Sequence, residues 1–167
     1  MKNKLYFLAI ILLIIIIQTT HFDFWSIYSI KPDLILLTTC LFGLLHGSIP
    51  GVTFGFSLGF IQDVFSNSLF GAQSFSKALW GYASGQSVLK LDPQYPMVQL
   101  MLIFTFSLGD AFLIYILHML FIGSAHFSNT RIFLFRTFGQ IAYNLAIWPL
   151  VYPLGSKFFI SQQEIKR

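Results

Sequence analysis

Apolar residues run along almost the whole chain in blocks separated by short polar or Gly/Pro-containing breaks. The first block, 5–17, follows Lys2 and Lys4, as a signal peptide would. No small-x-small cleavage site follows at Gln18-Thr19-Thr20-His21, and the run carries on to Phe22, so the pattern predicts an uncleaved first helix. Further spans are predicted at 34–47, 51–65, 70–89, 97–121 and 137–154. The breaks are His46-Gly-Ser-Ile-Pro50, Ser66-Asn-Ser68, 92–96 and 123–131, where turn residues interrupt the helical pattern. The second and third spans are shorter than the roughly 20 residues a free-standing transmembrane helix needs, so they are expected to tilt, re-enter or be sheltered by neighbours. The expectation is an all-α integral membrane protein: one transmembrane domain over 1–167, a polytopic bundle of about six helices, or five, with four or five full crossings if the short runs fall shy of the bilayer.

Composition agrees with this pattern. Hydrophobic residues make up 56% of the 167 and charged residues 10%, whereas a soluble domain carries about 25% charged. The net charge of +4 comes from scattered basic residues with no stripe or aromatic platform for nucleic acid. Their placement reads as topology, because cytoplasmic segments retain Lys and Arg. Six spans put both termini on one side with Lys2, Lys4, Lys90, Lys157, Lys166 and Arg167, against Lys31, Arg131 and Arg136 opposite, with Lys77 inside. Both ends are thus expected in the cytoplasm. Trp25, Tyr28, Trp148 and Tyr152 fall near span ends, as interfacial belt residues do. Cys40 lies in an apolar run and has no partner cysteine in the chain.

Candidate chemistry is sparse. Asp63, Lys77, Asp110 and His118 fall inside predicted spans, where a central charge costs about 2.5–3.5 kcal/mol on the most lenient scale. Something must offset that cost. The plain reading is that the carboxylates face the bundle interior and bond to hydroxyls, backbone or Lys77. A proton or ion relay is the sharper one, but four dispersed residues do not outline a path. Gly51, Gly55 and Gly59 recur every four residues with Asp63 next in the series, and Gly81 and Gly85 repeat the interval. Small residues so spaced let helix backbones approach closely in lipid. Spacing does not decide whether these seams join helices of this chain or meet another subunit; use within the chain is the expectation placed ahead.

Hydrolase patterns fail on context. Gly55-Phe-Ser57-Leu-Gly59 fits the letters of a nucleophile elbow, but that motif needs a strand before the serine, and here it lies in one helical run. Ser84 with His118 as base lacks the glycine that intramembrane serine proteases would carry where Tyr82 stands. His21, His46, His118 and His126 show no metal-ligand spacing, and no glycine loop cradles phosphate. No cofactor, metal or catalytic residue is assigned, and the chain is not read as an enzyme.

The segment Lys31-Pro32-Asp33-Leu34-Ile35-Leu36-Leu37, followed by Gly51-x3-Gly55-Phe56-x2-Gly59-Phe60-x-Gln62-Asp63, resembles the MreD family of rod shape-determining proteins. That family carries a Lys-Pro-Asp entry to its second span, a Gly-Phe-x-x-Gly-Leu-x-x-Asp run in the next, then Leu-Gly before a span bearing Gly-Tyr. Here Phe60 and Phe70 replace leucines, and the last features read Phe70-Gly71 and Gly81-Tyr82. The likeness extends from Lys31 to about Tyr82. It implies a non-catalytic inner-membrane scaffold of the bacterial cell-wall elongation complex. Its expected direct partner is MreC, with MreB filaments and peptidoglycan synthases in the same assembly and membrane lipid around it. The alternative is a membrane subunit that binds substrate for a vitamin-type transporter. That reading lacks the alanine-x-x-x-alanine docking surface, since 5–17 holds only Ala9, and it needs Asp63, Asp110 and Asn144 to meet in one pocket.

Overall fold

A computed structural model describes residues 30–66, 69–89, 91–93, 95–121, 123 and 130–164. The predicted first helix, with Trp25 and Tyr28, lies outside them. Every regular element described is a helix: α1 (Leu34–His46), α2 (Ser48–Phe65), α3 (Ala72–Ser87), α4 (Pro96–Phe121) and α5 (Thr130–Glu164).

Local chemistry sets the boundaries. Asp33 caps α1, its side chain accepting from Leu36 N at 2.8 Å, which satisfies one of the N–H groups a first turn leaves open. Gly47, at φ +91°, ends α1 and begins α2 at once, its N–H donating to the Gly43 carbonyl. A side chain disfavours that backbone region and glycine does not. Pro50 then sits in the first turn of α2, where a missing N–H costs nothing. The break at His46–Pro50 is therefore a one-residue corner, tighter than the polar letters imply.

Three spans differ from expectation by more than one residue, the third predicted span beginning at Ser48 and not at 51 because α2 starts directly at the Gly47 corner. The fourth predicted span begins at Ala72 and not at 70, because Gly71 adopts a left-handed conformation that cannot continue a helix. The last helix runs Thr130–Glu164 with Pro149 and Pro153 inside it, well beyond 137–154. In a membrane protein neighbouring helices and hydroxyls can compensate the backbone groups that proline releases, so neither proline ends the helix.

The short α1 is the axis of the bundle and contacts each of the other four helices. Ile35, Leu37, Cys40 and Leu41 are fully buried. Its 13 residues span about 20 Å, too little to cross a bilayer alone, and α2 to α5 shield it. α4, with 26 residues, is the described helix long and apolar enough to cross a membrane. α2 and α3, of 18 and 16 residues, form the most extensive helix pair in the structure. Trp148, expected as a belt residue, is instead 1% exposed in the core, its Nε1 donating to Gln99 Oε1 at 3.1 Å. The reason is that Gln99 on α4 offers the indole a partner inside the bundle.

Candidate functional site

The glycines of α2 lie against α3. A Cβ on Gly51 would overlap the Gly81 carbonyl, and one on Gly81 would overlap the Gly51 carbonyl. Gly55 meets the Lys77 carbonyl, Gly59 meets Gln73 and Ser74, and Gly85 meets Gly47 and Ser48. The two antiparallel backbones are therefore in contact for most of their length, a distance at which dispersion and weak Cα–H···O contacts operate. Gly43 of α1, which sequence reasoning missed, enters the same seam against Ser84, Gly81 and Gly85. It extends the four-residue interval backwards through Gly47, but on α1, across the corner from the α2 stripe. Tyr82 is 46% exposed and faces outward, its hydroxyl oxygen accepting from Gln86 Nε2 at 3.2 Å.

Asp63 ends the α2 stripe, 2% exposed. Its two oxygens accept from Gln73 N at 3.0 Å and Ser74 N at 2.9 Å, and the Ser74 hydroxyl donates to it as well. These N–H groups belong to the first turn of α3, where Gly71 has no side chain to cap them. A carboxylate from the neighbouring helix supplies the cap and meets the positive end of the helix dipole. Asp63→Ala should therefore lower stability by about 1–3 kcal/mol, the cost of leaving buried donors unmet. Asp63→Asn, which keeps an acceptor, should fall between. Thermal melts of the purified proteins read this directly, and a wild-type melt for Asp63→Ala would remove the capping role.

Beside this cap sits a second polar cluster. Lys77, with no side-chain exposure, lies 2.7 Å from Asp33 Oδ2 and 3.0 Å from Asp110. Ser76 donates to the same Asp110 carboxylate. Asn144 of α5, wholly buried, accepts from Asp33 N at 2.8 Å and donates to Ser107 Oγ at 3.0 Å. One connected network thus ties the start of α1 to α3, α4 and α5. Asp33, read from sequence only as part of an entry motif, is its central member. Nothing in the spacing could reveal the pairing, since Lys77 lies 44 residues on.

Along the bundle these groups occupy one level. α4 continues for 11 residues past Asp110, while α3 starts four residues before Ser76. At 1.5 Å per residue α4 overtops the short helices by about 10 Å there. A cavity of about 600 Å³ lies over that step. Lys31, Pro32, Asp33, Gln62 and Gln73 line its base, Asp110, Ile114 and Tyr115 its α4 wall, and Phe133, Arg136 and Gln140 its α5 wall. Tyr115 and Phe133 close one side with ring centroids 4.7 Å apart. Of Asp63, Asp110 and Asn144, only Asp110 lines this space.

Among the described residues neither serine candidate donates to a base. Ser57 is exposed and donates to the Thr53 carbonyl, and buried Ser84 donates to the Gly81 carbonyl. Ser84 is eight residues from Ser76 towards one end of the bundle, and His118 eight from Asp110 towards the other. That places them roughly 24 Å apart along the helix axes. The His118 Nδ1 lies 2.9 Å from the Ile114 carbonyl of its own helix. Among the described residues no three His, Cys, Asp or Glu side chains converge as metal ligands do.

No curated protein and no solved structure matches the chain. A family model does, described as rod shape-determining protein MreD, over residues 1–158. That span takes in α1 to α4, the capping Asp63, the Asp33–Lys77–Asp110 cluster and Asn144. The chain therefore belongs to the MreD family of membrane proteins, which acts in determining rod cell shape.

Proposed function

We propose that this protein is a non-catalytic scaffold of the bacterial cell-wall elongation complex. In this reading it is one multi-pass domain of the inner membrane, with both termini cytoplasmic. It binds MreC directly and so couples MreB filaments to peptidoglycan synthases. The observation that carries the reading is the family match across residues 1–158. The geometry supports a holding role: the polar side chains at the centre of the bundle bond to one another across four helices, which favours one rigid arrangement. The outer surface of α2 and α3 exposes the large side chains Phe56, Phe60, Phe75 and Tyr82, a face suited to lateral contact within the membrane.

Tagged protein extracted in mild detergent should bring down MreC and wall-synthesis enzymes, and depletion should turn rod-shaped cells round. Recovery of an ATPase transport module, or of a tightly held vitamin, would replace this proposal with the transporter reading.

A further inference from the structure

The cavity over the step holds a charge surplus. Lys31, Arg136, Asp33 and Asp110 line it, and Lys77, buried behind the lining, bridges the two carboxylates, so three positive charges stand against two negative ones, a balance of +1. Lys77 is committed to both carboxylates. Lys31 and Arg136 have no ion-pair partner among the described residues, and both line the space. The Oε1 atoms of Gln62 and Gln73, also in the lining, are buried and accept no hydrogen bond. A buried amide oxygen left so is costly unless something donates to it. Apart from Thr137 and Gln140, the rest of the wall is mostly apolar, with Ile114, Phe133, Ile147 and Leu150.

These features specify an occupant. One negative charge neutralises the set, which a phosphodiester supplies. Hydroxyl donors satisfy the two glutamine oxygens, and an acyl chain fits the apolar wall. We propose that the cavity is a binding site for an anionic phospholipid with a hydroxylated head, of the phosphatidylglycerol class. Its phosphate sits between Lys31 and Arg136, its glycerol hydroxyls face Gln62 and Gln73, and one chain lies along α4 and α5. The site is independent of which proteins the scaffold holds.

The test is native mass spectrometry of the delipidated full-length protein offered dioleoyl-phosphatidylglycerol or dioleoyl-phosphatidylcholine. Wild type should retain the first roughly tenfold over the second, and Lys31→Gln with Arg136→Gln should remove most of that preference, as expected for two cations near an anionic head. Arg136→Lys, which keeps the charge, should retain it and guards against a folding artefact. Ala111 of α4 also lines the cavity, and Ala111→Trp, which fills it, should abolish retention with both cations present. Equal retention of the two lipids, undiminished binding in the double variant, or undiminished binding in Ala111→Trp would overturn the site. Displacement of the lipid by glycerol 3-phosphate would show that the head alone is recognised, overturning the lipid assignment in favour of a soluble polyol phosphate.

Discussion

Lys77→Met should destabilise the protein more than any other single change of a charged residue, by about 3–5 kcal/mol, because it leaves two carboxylates buried without their cation. Asp33 and Asp110 both depend on the one ammonium, at 2.7 and 3.0 Å. Methionine matches the length of the side chain and so isolates the charge from the packing. Folded protein should be nearly lost from membrane extracts. Adding Asp33→Asn and Asp110→Asn to the same chain should restore much of it, since the carboxylates that needed the cation are gone and the amides still hydrogen bond. That non-additivity is the signature of one network. If the triple variant were no better than Lys77→Met, the damage would lie in packing and not in charge.

Gly55→Leu should prevent α2 and α3 from closing. A Cβ at residue 55 would already overlap the Lys77 carbonyl and the Thr39 side chain, and a carbonyl in a helix cannot swing aside as a long side chain can. Overpacking a core costs about 1–3 kcal/mol where side chains can adjust. Here backbone blocks backbone, so the effect should be at the upper end or beyond. Gly55→Ala should already shift the melting transition. Size-exclusion profiles of both variants in detergent give the readout, and an unaltered monomer peak with an unchanged melt for Gly55→Leu would contradict the seam. The Lys77 carbonyl is part of this contact, so the two largest predicted effects meet on one residue: its backbone faces Gly55 while its side chain neutralises Asp33 and Asp110.

How much of this was readable in advance depends on whether the signal is local. The four-residue glycine interval is visible in the letters because a helix places those positions on one face, but the surface it meets is not. Gly43 keeps the same interval through Gly47, but the His46–Pro50 break separates it from the α2 stripe, so its place in the seam depends on the corner that folds α1 back on α2. Intramembrane Asp63, Lys77 and Asp110 stand out by their cost in lipid, yet Asp33, which precedes the apolar run, reads only as part of an entry motif. The pairing with Lys77 is a tertiary fact. Asn144 with Ser107, and Gln99 with Trp148, are likewise isolated polar letters whose partners lie 37 and 49 residues away. Trp148 was misplaced because position near a span end is only a statistical guide, and a hydrogen-bond acceptor inside the bundle overrode it. The corner at Gly47 and the cap given by Asp63 to α3 required the backbone: one is a positive φ and the other a contact between helices.

The order of synthesis adds a constraint that the finished bundle conceals. Translation delivers α1 early, a segment too short to span the bilayer and headed by an aspartate. The groups that neutralise and bond that aspartate, Lys77 and Asn144, emerge 44 and 111 residues later. Until they arrive, α1 has neither the length nor the charge balance to reside in lipid. Stable residence of α1 in the bilayer is therefore expected to depend on helices made after it, so the centre of the protein relies on its later parts.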